Sequence, residues 1–185
     1  MTTQYIRLLI TRMPKNIYVR SALPTDAWAL ASIHSDSSIC AYSKFFSAAF
    51  IERRYAQGNQ LDYFEHTLQR KDGKREVLVA IDDSDDEILG VIDMGYSDED
   101  CTGKVHSLFV HPKFMRCGIG GYLLYCGQQW SVAQGYDSPI LWVFSENVLA
   151  RKFYERVGWV DTNVEELTSW PGLDDMMCRK FQKAF

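Results

Sequence analysis

Residues 105–124, VHSLFVHPKFMRCGIGGYLL, constrain this chain more than any other stretch. An apolar run ends at His111-Pro112, a basic residue precedes Gly118, Gly120 and Gly121, and apolar residues at helical spacing begin at once. A strand that runs into such a turn and then a helix leaves the first main-chain N–H groups of the helix without intrahelical partners. Glycines clear side chains away from those donors. The helix dipole adds roughly half a positive charge at that end, so the turn suits a phosphate or pyrophosphate. Arg116 adds a full charge nearby. The same glycines also suit a tight turn that only permits close packing, and GIGG alone leaves both readings open. What is missing narrows the ligand. A nucleotide P-loop requires Lys-Ser/Thr after the glycines, where Gly121-Tyr122 stands, and a dinucleotide fingerprint requires glycine at 123, which is leucine.

The elements around this turn come in mixed order. NIYVR (16–20) alternates as a strand does, and PTDAWALASIHS (24–35) carries apolar residues at helical spacing. Residues 36–46, DSSICAYSKFF, read as irregular and aromatic. SAAFIERRYAQ and LDYFEHTLQR follow as helical segments with a break near Gly58. EVLVAI and EILGVIDMGY are strands about the polar tip DDSDDE, a hairpin signal, and KVHSLFV (104–110) is the next strand. The helix that follows the glycines ends near Gly135 and places Ile119, Tyr122, Leu123, Cys126, Trp130 and Ala133 on one face. PILWVF is a buried strand, and VLARKFYERVG is a helix capped by Asn147 and ended by Gly158. WVDTNVEEL and DDMMCRKF are final strands flanking TSWPG, with a turn at Pro171-Gly172. The order βα(α)βββαβαββ predicts antiparallel strands first and a βαβ crossover after them.

Composition sets the outer limits. A chain of 185 residues with 46% hydrophobic content can bury a substantial core, and no linker divides it, so one domain over 1–185 is expected. The net charge of −4 gives no electrostatic reason to expect nucleic acid or a membrane as partner. Cys40, Cys101, Cys117, Cys126 and Cys178 form no CxxC pair and no zinc-like spacing, so no metal is expected and reduced thiols point to a cytoplasmic protein. No run of about 20 apolar residues could span a bilayer, and the N-terminus carries too short an apolar core for a signal peptide.

The second informative stretch is LWVFSENVLARKFYERVGW (141–159). With it, the chain resembles the GNAT superfamily of acyl-CoA-dependent N-acyltransferases. The glycine motif of that superfamily, Arg/Gln-x-x-Gly-x-Gly/Ala after a strand, is met by Met115-Arg116-Cys117-Gly118-Ile119-Gly120, with Met115 departing from the usual Arg or Gln. Its later strand and helix carry Asn, a small residue, Phe-Tyr and Gly-Phe, matched here by Asn147, Ala150, Phe153-Tyr154 and Gly158-Trp159. The resemblance covers about 75–182 and implies an α/β (α+β) fold, a mixed, mainly antiparallel sheet of about seven strands with helices on both faces. The implied cosubstrate is acetyl-CoA, bound by the core at about 75–182, with acceptor-side elements at about 20–70 and 166–174.

The resemblance also assigns roles. Main-chain groups of Leu108, Phe109 and Val110 would pair with the pantetheine arm, one N–H polarising the thioester carbonyl. The N–H groups of Arg116, Cys117, Gly118, Ile119, Gly120 and Gly121 would hold the pyrophosphate, and Asn147 would lie near the CoA arm as well as capping its helix. Tyr154 matches the general acid toward the CoA sulfur. His106 is the candidate base: VHSLFV resembles the corresponding strand of the serotonin N-acetyltransferase branch, although Lys104 replaces a second histidine there. His111 reads as structural, and His34 and His66 as solvent or packing residues. Tyr42, Phe45, Phe46 and Trp170 would wall an apolar or aromatic acceptor site. The implied function is transfer of acetyl from acetyl-CoA to a primary amine of a small molecule. Protein N-terminal or lysine acetylation is the alternative within enzymes, and a catalytically silent acyl-CoA-binding module the alternative outside them. A homodimer is compatible with this reading.

Overall fold

The computed structural model describes residues 16–70, 72–168 and 176–183. Trp170, expected on the acceptor side, lies outside them. The described strands are β1 (Ile17–Ser21), β2 (Arg75–Asp82), β3 (Ile88–Ser97), β4 (Thr102–Val110), β5 (Ile140–Phe144), β6 (Val160–Leu167) and β7 (Met177–Gln182). They form a 7-stranded sheet in the order β1-β2-β3-β4-β5-β7-β6. Neighbours are antiparallel except β4 and β5, the parallel pair produced by the βαβ crossover. The helices are α1 (Ala27–Tyr42), α2 (Ala48–Tyr55), α3 (Gln57–Gln69), α4 (Ile119–Ala133) and α5 (Val148–Arg156).

Alternation along β2 and β3 sorts the core into two layers. Leu89, Ile92, Met94, Leu123, Leu124 and Trp159 pack on the face covered by α4. Leu30, Ile33, Phe64, Val77, Val79 and Val91 pack on the face covered by α1 and α3. Each such aliphatic side chain contributes about 1.5–3 kcal/mol by leaving water. Helices therefore cover both faces of a mainly antiparallel sheet, as the sequence leads one to expect.

Three local details differ from the sequence reading. The first helix does not stop at Ser35 but runs on to Tyr42. Its serines are drawn inward by tertiary bonds: Ser35 Oγ donates to Tyr55 O (2.7 Å), Ser37 Oγ donates to Val110 O (3.0 Å), and Ser38 is fully buried. The break between the next helices falls at Ala56 rather than Gly58, because Asn59 Nδ2 and Gln60 Nε2 donate to Arg53 O (2.8 Å) and Arg54 O (3.0 Å) at the end of α2. The buried stripe of α4 is Ile119, Leu123, Leu124, Gly127, Gln128 and Ser131, while Tyr122, Cys126 and Trp130 are half-buried and Ala133 is exposed. The helix turns its smallest residue to the sheet: a Cβ at Gly127 would stand 2.2 Å from Met94 Sδ.

Candidate active site

The sheet opens at its centre. The β4–β5 register holds at Lys104↔Ile140 and Val105↔Leu141, and among the described residues no further pair joins the two strands. β4 runs on to Val110 and β5 to Phe144. A bulge on the opposite side of β4 adds to the divergence. Met94 pairs with Val105 and Asp93 with Ser107, which leaves His106 as the extra residue. Leu108, Phe109 and Val110 thus lie on a strand edge that β5 does not cover.

The glycine turn closes one end of this opening. Arg116 (φ 66°) and Gly118 (φ 88°) are both left-handed, a conformation that costs a non-glycine residue about 1–3 kcal/mol. Met115 N donates to Pro112 O (3.4 Å) and Tyr122 N to Gly118 O (3.1 Å). Between them, among the described residues, no N–H from 116 to 121 donates to a main-chain carbonyl. A Cβ on Gly120 would lie 3.4 Å from Phe153 Cζ and 3.5 Å from Val110 Cγ2, so the turn, the end of β4 and helix α5 converge. Unpaired donors, a side-chain-free approach and a helix N-terminus fit a diphosphate.

Helix α5 supplies the next groups. Asn147 Oδ1 accepts from Ala150 N (3.1 Å), and Gly158 ends the helix at φ 83°, as the sequence predicts. The loop before it is tied down on both sides. Arg151 Nη1 donates to Ser145 O (3.0 Å), Ser145 Oγ donates to Glu165 Oε1 (2.9 Å), and Arg179 bonds both Asp161 (2.7 Å) and Glu165 (2.8 Å). Tyr154 packs against Phe153 and Phe181 with ring centroids 5.2 and 5.9 Å away. Burial raises its hydroxyl well above the usual tyrosine range and keeps it protonated.

The opposite side is aromatic. Tyr42 and Phe46 meet with their centroids 6.0 Å apart. They are joined by Phe144, 5.5 Å from Tyr42 and 5.6 Å from Phe46, and by Tyr55, 5.5 Å from Tyr42. The sequence pattern did not single out Phe144 or Tyr55. Phe45 lies in the turn after α1, and no described ring contact ties it to the cluster. Burial pushes the Tyr55 hydroxyl up to about 12, the Arg54 cation opposing it.

Two histidines stand on this side, His106 within β4 and His34 on α1. His106 keeps an exposed outer side, but a Cβ on Gly95 would lie 3.0 Å from its Nε2. Desolvation pushes it down to about 4; Asp93 opposes, and the cations of Arg75, Lys104 and Arg70 reinforce the shift. His34 reads from the sequence as a solvent or packing residue. Its ring lies 4.1 Å from that of Phe109, and desolvation, reinforced by Arg54 and opposed by Asp93, holds it at about 4. Beneath them sits a buried polar group that sequence reasoning missed. Asp93, with no exposed surface, accepts from Tyr63 Oη (2.7 Å), Arg75 Nε (2.7 Å) and Arg75 Nη2 (2.6 Å). His111 is structural, as expected: its Nδ1 accepts from Lys113 N (3.2 Å).

With this geometry in view, comparison with known proteins gives a consistent result. The Acetyltransferase (GNAT) family profile matches residues 39–159, and the chain belongs to that family. An uncharacterized N-acetyltransferase of Archaeoglobus fulgidus is 32% identical over 99 residues; the match spans 50% of this chain and 64% of that relative's length. Among solved structures, the PaiA N-acetyltransferase of Thermoplasma acidophilum in complex with coenzyme A superposes with a TM-score of 0.70 at 19% identity, over 92% of this chain and 99% of that one. A GCN5-related N-acetyltransferase from Rhodopseudomonas palustris gives 0.73 at 19% identity, over 92% and 96%. These likenesses establish the fold.

Proposed function

We propose that the protein transfers acetyl from acetyl-CoA to a primary amine of a small molecule. The observation that carries this reading is the uncovered edge of β4 running into a turn whose N–H groups from Arg116 to Gly121 lack main-chain acceptors among the described residues. Those donors would hold the diphosphate, the Leu108–Val110 edge would hold the pantetheine arm, and Asn147 stands at the start of the adjoining helix. Acetyl-CoA supplies an activated acetyl thioester.

The chain's own residues then divide the proton work. His106, neutral at pH 7 and open to solvent, takes a proton at its ring from the acceptor's ammonium and passes it to water. Tyr154 donates its hydroxyl proton to the departing sulfur. Amide donors on the β4 edge stabilise charge on the carbonyl oxygen. The rings of Tyr42, Phe46, Tyr55 and Phe144 crowd the acceptor side, which supports a small amine with an apolar body over a polypeptide chain.

Calorimetry with acetyl-CoA, followed by thiol release across arylalkylamines, polyamines, amino acids, aminoglycosides and peptides, tests the reading. Binding should be saturable, and Tyr154→Phe should keep it while losing about 10²-fold in kcat. Absence of any binding heat on folded protein would end the proposal. Binding without turnover on any amine would favour the silent module.

A further inference from the structure

Helix α1 does more than cover the sheet. His34, Ser38 and Tyr42 are successive turns of one helix face, and that face runs from Phe109 on β4 (4.1 Å from His34) to Phe144 on β5 (5.5 Å from Tyr42). These are the two strands that diverge, so the stripe bridges the mouth of the opening. Beside it stands a buried polar group left unsatisfied. Tyr55, only 4% exposed and with its ring 6.0 Å from that of His34, has a hydroxyl with no partner among the described residues. A buried hydroxyl without a partner costs about 1–3 kcal/mol unless something else satisfies it. That hydroxyl, on a ring packed beside the imidazole, marks a place for a polar ligand group within an otherwise aromatic wall.

We propose that His34 is a second proton-handling residue, which holds the neutral acceptor nitrogen at its ring and takes that nitrogen's proton during acyl transfer. The inference rests on the acyltransferase reading above and completes it. An alkylammonium must lose two protons to become an amide. The first leaves before attack, and His106 carries it to solvent. The second leaves as the amine nitrogen bonds to the carbonyl carbon and the carbon–sulfur bond breaks: His34 accepts it, while Tyr154 protonates the sulfur. Solvent then restores His34 to neutral and Tyr154 to its hydroxyl form, so the sum is amine plus thioester giving amide plus thiol.

The surroundings of His34 suit this role. Its Nδ1 lies 3.5 Å from Ser38 Oγ, and in the tautomer that carries the proton on Nδ1 the Nε2 lone pair is left for the amine. Desolvation and the Arg54 cation keep the ring neutral, and they disfavour a bound ammonium for the same reason. Asp93, engaged by Arg75 and Tyr63, opposes this only in part. The pocket therefore selects the uncharged amine.

The test uses His34→Gln and His34→Phe in the full chain, with the amine that gives the fastest thiol release in the panel. Acetyl-CoA binding by calorimetry reports on the underlying reading, and wild type and both variants should bind alike. Turnover should fall about 10²-fold in both variants. In His34→Gly, free imidazole should restore part of it, a rescue that a packing role does not give. Titrating that amine alone into wild type should shift the His34 ring resonances in the NMR spectrum. Variants that bind acetyl-CoA and turn over within twofold of wild type would overturn the inference, as would an unmoved His34 resonance at saturating amine. A wild-type chain that binds no acetyl-CoA would instead overturn the acyltransferase reading.

Discussion

The rings of Tyr42 and Phe144 stand nearly perpendicular, 86° apart, with centroids separated by 5.5 Å. This contact ties the last turn of α1 to the end of β5 across the opening in the sheet. Phe144 is 3% exposed, and truncating such a ring costs about 3–5 kcal/mol. Phe144→Ala should therefore lower the melting temperature by several degrees, and it should raise the acceptor KM far more than the acetyl-CoA KM. Tyr42→Phe keeps the ring and should melt like wild type. Equal changes in both KM values for Phe144→Ala would separate this contact from acceptor binding.

The glycine turn gives a second expectation. Gly118 is left-handed at φ 88°, and an L-residue there costs roughly 1–2 kcal/mol, so Gly118→Ala should show that loss in a denaturant melt. Gly120→Val should weaken acetyl-CoA binding at least about tenfold, because its branches fill the side-chain-free approach between Phe153 and Val110. Unaltered calorimetric affinity in Gly120→Val would remove the turn from coenzyme binding.

Asp93 is the third site. It has no exposed surface and bonds two groups that are themselves largely buried. Removing one partner of a buried ion pair costs about 3–5 kcal/mol. Asp93→Asn should destabilise by that order in urea, and adding Arg75→Met should recover part of the loss. A double variant worse than the single would show that Arg75 finds another acceptor.

Stability should also depend on pH through the histidines. His34 and His106 are both held at about 4, below the 6.5 of an unfolded histidine. Between those values the unfolded chain binds more protons than the folded one, so their contribution is full above about pH 6.5 and declines as pH falls through about 4. Thermal melts from pH 7 to pH 4 should fall progressively, with a shallower slope in His34→Phe. A parallel slope would mean that the His34 ring is not desolvated in the folded state.

Much of this fold is legible in the sequence because its signals are local. Alternation marks β2 and β3, Asn147 and Gly158 bracket α5, and the glycines of 118–121 mark the start of α4. The proposed coenzyme side follows from these, since main-chain donors depend on turn geometry more than on side-chain identity. The acceptor side does not, because its determinants are tertiary. Ser35, Ser37 and Ser38 argue locally against a helix, and only bonds to Tyr55 and Val110 reveal that α1 continues through them. With the helix ended at Ser35, the four-residue spacing of His34, Ser38 and Tyr42 carried no meaning. Asp93 sits unremarked inside an apolar strand until Tyr63 and Arg75 are seen to reach it.

The parallel seam of the sheet has a mechanical consequence. Among the described residues, β1 to β4 and β5 to β7 are joined along it by two register pairs, so the plane is close to being two half-sheets braced by helices. An extended molecule lodged in the gap would stitch these halves together as an eighth strand does. Amide hydrogen exchange in β6 and β7, remote from any ligand, should then slow when the gap is filled.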